Sequence, residues 1–312
     1  MLYRLRRFLE TKSQLWLREI HNTPPLEGSG RGPVFVSQLA AVYVEMFLLA
    51  AKSMGVWIKP SRCIVLSDGT LRRSHERLLE QHLPNLEVRH LKDIDVGTCP
   101  RGGTWERLVT CVEESAGAFV LQIDSDTVTY DCPDAIMACL ASNRSYTMSG
   151  CVTDSDRSRI RVMSLAEAAE VRQAELTMNN HPHVQIVAET SLPRIPTTLG
   201  SRYIRGSSGY AGFAAGQATL SELEEFSSAM STLLGTRWRE WGTEQVASNF
   251  IIANSPGGMV LPWPDYASQK PQLAEDQVAI HFTGEHRFAY GTYRRVGCRA
   301  MNLMKGPPTL SR

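Results

Sequence analysis

Four short apolar runs separated by segments of helical spacing constrain this chain more than any other feature. Residues 34–37, 62–66, 86–91 and 119–123 are rich in strand-forming side chains. Residues 39–54 lie between the first two, and Ala40, Val44, Phe47, Leu48 and Ala51 fall there on one helical face. Thr70 is placed to cap a second helix, whose Leu71, Leu78 and Leu79 recur at helical spacing, and 104–115 predicts a third. Strands alternating with helices imply right-handed crossovers, hence an α/β domain with a mostly parallel central sheet flanked by helices. Ligands of such sheets sit beyond the carboxyl ends of the strands. That rule sets Gln38, Asp68 and the acids after residue 123 along one rim.

The fourth run ends in FVLQIDSDTVTY, where Asp124 and Asp126 follow four apolar residues. Two carboxylates this close repel unless a positive group holds both. A D-x-D turn at a strand end can direct both acids at one divalent cation, and oxygen ligands suit Mg²⁺ or Mn²⁺. The plainer reading is a turn whose aspartates bond locally. A second DSD, Asp154–Asp156, sits in the polar run TDSDRSR beside Arg157 and Arg159 and reads as a surface loop or an acceptor-side contact rather than a metal site.

The 312 residues allow one large domain. A net charge of +1 leaves no basic footprint for nucleic acid, so none is expected as a partner. The seven cysteines are odd in number and contain no CxxC, which points to reduced thiols and a cytoplasmic setting rather than a zinc site. No apolar run approaches the roughly 20 residues needed to span a bilayer. Residues 1–20 mix Leu2, Leu5, Leu9, Trp16 and Ile20 with five basic side chains. They read as an amphipathic helix that either docks on the domain or lies peripherally on a membrane. The expected division is an N-terminal helix and joint at 1–32, the main α/β domain at 33–295, and a basic tail at 296–312.

In the second half, Ser164/Glu167 and Thr219/Glu222 have capping-box spacing, predicting helices to about Met178 and Gly235. Residues 191–200 read as loop, Thr243 as the cap of a helix to Ala253, and 277–282 as the last strand.

With these pieces in order, the chain resembles glycosyltransferases of the GT-A fold, and is similar to the retaining family of glycogenin and the lipopolysaccharide galactosyl- and glucosyltransferases. Asp124-Ser125-Asp126 matches that family's metal-binding D-x-D, and Ala279-Ile280-His281-Phe282-Thr283-Gly284 its C-terminal H-x-x-G, with Arg287 and Phe288 where the family has Lys-Pro. Gly242-Thr243-Glu244-Gln245 resembles its acidic-Gln pair, and 206–213 its small-residue strand beside the donor sugar. The resemblance implies a transferase moving a hexose from a nucleotide-diphosphate sugar, UDP-linked by expectation, to a glycan, lipid or protein acceptor. It implies Mn²⁺ or Mg²⁺ on Asp124, Asp126 and His281, and Glu244 and Gln245 as the catalytic pair. Asp68, Arg107, Ser125 and Gly284 are then donor-binding, and Ser208, Gly209 and Trp241 sugar- or acceptor-binding.

Alternatives stay open at several of these positions. Asp68 is equally a turn former before Gly69, and Arg107 a solvated helix residue. Trp238, Trp241, Trp263 and Tyr266 are either an acceptor surface or core. His181 and His183 read as a solvent loop rather than metal ligands. An inverting enzyme would use Glu240 or Glu244 as base. The runner-up functions are a haloacid-dehalogenase-type phosphatase with Asp124 as nucleophile and Asp126 as acid/base, and a non-catalytic scaffold.

Overall fold

The computed structural model of the chain describes residues 14–150, 159–178, 180–268, 277–284, 287 and 291–306. After a 3₁₀ turn at Leu15–Asn22 come β1 (Val34–Leu39), α1 (Val44–Gly55), β2 (Arg62–Ser67), α2 (Arg73–His82), β3 (Leu86–His90), α3 (Trp105–Ser115) and β4 (Val120–Ile123). Next are β5 (Thr127–Thr129), α4 (Asp134–Ala141), β6 (Tyr146–Ser149), β7 (Met163–Ser164), α5 (Leu165–Met178), α6 (Val184–Ser191), β8 (Arg202–Tyr203) and β9 (Gly206–Phe213). The chain continues through α7 (Leu220–Leu234), α8 (Thr243–Asn254), β10 (Met259–Val260), β11 (Tyr266–Ser268), β12 (Ala279–His281) and α9 (Thr292–Met304).

The main sheet runs β3-β2-β1-β4-β9-β6-β11-β12-β5, with β10 beside β6. Pairings are parallel except β4–β9, β6–β9 and β5–β12, so the sheet is mostly parallel, as the alternation predicts. Strand β1 shows why helices cover both faces: Val34 and Val36 enter one apolar cluster, Phe35 and Leu39 the other. Strand β9 reads GSSGYAGF, and its glycines admit close neighbours. A Cβ on Gly212 would meet the Tyr146 ring at 2.3 Å.

Local signals hold where they were strong. Glu222 N–H donates to Thr219 Oγ1 (3.2 Å) and Thr219 N–H to Glu222 Oε2 (2.8 Å), closing the capping box of α7. Glu167 N–H donates to Ser164 Oγ (3.2 Å) at the start of α5.

Several expectations are corrected. Thr70 does not cap α2: its Oγ1 accepts from Ala41 N–H (2.8 Å), and α2 starts at Arg73 with His75 Nδ1 accepting from Arg72 N–H (3.1 Å). Residues 41–43 form a 3₁₀ turn before α1 rather than its first turn. Residues 184–191, just after the breaker-rich NNHPHV, form α6 because Val184 and Ala188 are buried one turn apart. Residues 296–304, within the stretch expected as a basic tail, continue α9, whose Tyr293, Val296, Ala300 and Met301 share one buried face.

Residues 15–22 pack on the domain through buried Leu17 and Ile20, with Trp16 edge-on to Tyr293 at 5.5 Å. Residues 1–13, which carry most of the predicted amphipathic helix, lie outside the described residues, as do Asp154 and Asp156. Among the described residues, no helix is long and apolar enough to cross a membrane.

Candidate active site

Strand β4 is buried along its whole length and delivers Asp124 to its carboxyl end. Asp124 N–H donates to Gly209 O of β9 (2.8 Å), and Thr127 N–H to Asp124 O (3.2 Å), so the D-x-D turn is gripped on both sides. Antiparallel pairing of β12 with β5 sets His281 opposite Thr127, and Phe282 N–H donates to Asp126 O (2.9 Å). This pairing returns a histidine from near the C-terminus to the acids.

The ligand atoms of Asp124, Asp126 and His281 all lie within 4.8 Å of one another. His281 Nε2 is 3.1 Å from Asp126 Oδ1 and 3.7 Å from Asp124 Oδ2. Ser207 Oγ is 2.9 Å from Nδ1. When Nδ1–H donates to that hydroxyl, Nε2 keeps its lone pair toward the carboxylates, an arrangement typical of histidines that hold metals. Burial works against charge on His281, but Asp126 and then Asp124 outweigh it and raise its pKa. Burial likewise opposes ionisation of Asp126, and His281 followed by Arg287 overcomes it and lowers that pKa. The electrostatics that favour a proton on Nε2 also favour a cation in its place. Two carboxylates and one imidazole make a donor set suited to Mg²⁺ or Mn²⁺. Glycine is needed beside this donor set: a Cβ on Gly209 would fall 2.2 Å from His281 Cε1 and 2.7 Å from Asp124 Oδ2 and displace them.

Arg107, on α3, is 3% exposed and so is not on a solvated face. It ion-pairs with Asp124 through Nη1 and with Glu244 Oε1 through Nη2 (3.4 Å). Burial pulls its pKa down, yet Asp124 and Glu244 more than restore it, so the guanidinium stays charged. It supplies the positive charge at Asp124, while His281 and Arg287 face Asp126, so separate partners hold the two closely spaced acids.

These side chains line a cavity of about 530 Å³ together with Ser207, Ser208, Gly209, Trp241, Gln245, Thr283 and Gly284. Gly284 takes φ +58, and among the described residues nothing lies within 4 Å of where its Cβ would stand, leaving open space over its backbone. Gln245 Oε1 accepts from Ser208 N–H (3.3 Å). Glu244 is buried, and its oxygens accept from Thr104 Oγ1 (2.9 Å) and Ser208 Oγ (3.2 Å) besides Arg107. Burial raises the Glu244 pKa, and Arg107 offsets only part of that. Glu240 is exposed, ion-paired with Arg237 (2.8 Å), and not part of the lining.

Two of the residues expected at the donor are not in the lining: Asp68 and Ser125. Asp68 Oδ1 accepts from Thr70 N–H (2.9 Å) and Thr70 Oγ1 (2.6 Å), which is the turn-forming role. Of the four aromatic residues, Trp238 and Tyr266 are buried in the core, Trp263 is half-buried, and Trp241 lines the cavity. His183 caps α6, its Nδ1 accepting from Gln185 N–H (3.3 Å).

Sequence reasoning overlooked Thr104, Arg172 and Gln185, which also line the cavity, and included Ser207 only within the 206–213 stretch. Thr104 holds φ +75, an unfavourable conformation for a β-branched residue, and from it bonds Glu244. The flanking RGGT stretch was its one available signal. Arg287, standing where the resemblance expects Lys, comes within 3.8 Å of Asp126 Oδ2.

No family model matches the chain, and no curated protein matches it. Among solved structures the chain is similar to the apo structure of the WbbM bifunctional glycosyltransferase, with 14% identity and a TM-score of 0.45. The match covers 91% of this chain and 51% of that one, so the chain spans about half the length of that neighbour.

Proposed function

We propose that the protein is a metal-dependent glycosyltransferase that moves a hexose, with retention, from a UDP-sugar to a glycan, lipid or protein acceptor. The carrying observation is the convergence of Asp124, Asp126 and His281 on one point in a cavity at the carboxyl ends of the strands.

Asp124, Asp126 and His281 would hold Mn²⁺ or Mg²⁺, which when bound supplies charge to stabilise a departing diphosphate. The chain's own residues prepare the rest. Arg107 and Arg287 set positive charge beside the two aspartates, and the open backbone at Gly284 lets phosphate oxygens approach. Gln245 Oε1 is held by Ser208, while its Nε2 makes no hydrogen bond to the described residues and serves the sugar. Retention is favoured over inversion because neither candidate base is free. Glu244 is bonded by three donors, and Glu240 pairs with Arg237 away from the cavity. Glu244 thus acts by fixing Arg107 and Ser208. The phosphatase reading needs a lysine at the acids, and no described residue of the lining is one.

The test is hydrolysis of UDP-hexoses without acceptor, with and without Mn²⁺. Turnover that stops on chelation and in Asp126→Ala supports the proposal. Turnover that survives both, or none with any of UDP-, GDP- and dTDP-sugars, removes it, the second outcome leaving the scaffold.

A further inference from the structure

We propose that the outer wall of the same cavity is built for a carbohydrate acceptor: an uncharged pyranose stacked on Trp241, with hydroxyls toward Gln185 and Arg172. This rests on the donor reading of the acid end.

Trp241 is 70% exposed yet lines the cavity, and the chain around it holds it there. Gly242 takes φ +101, and a Cβ on it would come within 3.0 Å of His183 Cε1 and 3.1 Å of Gln185. Only glycine suits that turn. The His183 ring stands edge-on to the indole at 5.9 Å. Gln185 Nε2 donates to Gly242 O (3.1 Å), and Arg237 Nη2 to Pro182 O (2.9 Å), tying the two loops together. The indole is therefore set in place before any ligand arrives, which lowers the entropy lost on binding.

Beside it, Gln185 Oε1 and Arg172 Nη2 make no hydrogen bond to the described residues, leaving one acceptor and one donor at the wall. Arg172 Nε and Nη1 are held by Glu189 and Glu175, and Arg205 lies 3.6 Å from Glu189. Among the described residues, two guanidiniums thus face two carboxylates, and these four groups leave the wall polar without surplus charge of their own. That balance favours hydroxyls over a phosphate or carboxylate. A pyranose presents an apolar C–H face and directional hydroxyls, which match an indole flanked by one donor and one acceptor. Trp241 is the sole large apolar side chain among the described residues of the lining, which is too little for an acyl chain.

The test applies full-length protein with Mn²⁺ and UDP to immobilised neutral oligosaccharides, sialylated oligosaccharides, peptides and phosphatidylcholine. Retention on neutral oligosaccharides is expected, reduced about tenfold by Trp241→Ala and no more than about threefold by Trp241→Phe. Thermal melts confirm folding, and if the alanine variant melts early the phenylalanine and a Trp241→Leu variant carry the comparison. Retention only on the charged glycans, the peptides or the lipid overturns the inference, as does a bare array or wild-type retention by the alanine and leucine variants. Calorimetry of UDP with Mn²⁺ on the wild type separates the failures. Absent binding sinks the donor reading, whereas binding with a bare array sinks the acceptor inference alone.

Discussion

Arg107 in the cleft and Lys52 on α1 are both buried cations, at 3% and 2% exposure, and the protein holds them in opposite ways. Arg107 faces two carboxylates, which keep it charged. Among the described residues Lys52 meets only neutral groups: the carbonyl (3.3 Å) and hydroxyl of Thr23, and His82 Nδ1 at 3.0 Å. Burial therefore pushes the Lys52 pKa down to about 8, while burial and the nearby Lys52 push His82 down to about 4. The contrast separates two uses of buried charge. In the cleft, a permanent charge is shared by two acids. On α1, an ammonium ties residues 14–23 to the domain through dipoles, and its charge is conditional on pH.

The strongest way to break this comparison is at the acids. Asp126→Ala should lower metal-dependent turnover by on the order of 10²–10³-fold with the melting curve little changed. Gly209→Ala should do nearly as much, since its methyl would enter the space between His281 and Asp124. Loss of Mn²⁺ binding in calorimetry would confirm it, and unaltered affinity would refute the close-packed site.

Arg107→Leu should destabilise the fold by about 3–5 kcal/mol, because Asp124 and buried Glu244 lose their shared partner. Denaturant titration reads this directly. A loss below about 1 kcal/mol would mean the guanidinium is not what compensates these acids.

The conditional charge predicts a pH profile. Unfolded Lys52 titrates near 10.5 and the folded one at about 8, so between these values the unfolded chain binds more protons and stability rises with pH. Lys52→Met should lack that rise. Folded His82 likewise titrates below its usual 6.5, so stability should fall as pH drops from 6.5 toward about 4. His82→Gln should flatten this limb. The smallest expected effect is Ser207→Ala, which should weaken Mn²⁺ binding about tenfold by freeing the His281 ring.

The sequence by itself determined whatever short-range pattern controls. Apolar runs and helical spacing from 34 to 123 led to the parallel half of the sheet, because each element there buries its own periodic face. Thr219 and Glu222 marked their helix because a capping box is closed within four residues. The D-x-D was legible because acids ending a buried strand are costly without a purpose. Tertiary structure alone decided the rest. The imidazole of His281 reaches the acids only through the β5–β12 pairing, and Arg107 became the counter-charge of Asp124 and Glu244 because α3 packs with that face inward. Asp68, equally plausible on paper, was spent on its own turn. Trp238 and Trp241, three residues apart, went to core and cleft because Gly242 reverses the chain beside the second. Such outcomes depend on contacts between residues far apart in the chain, and no local period encodes those.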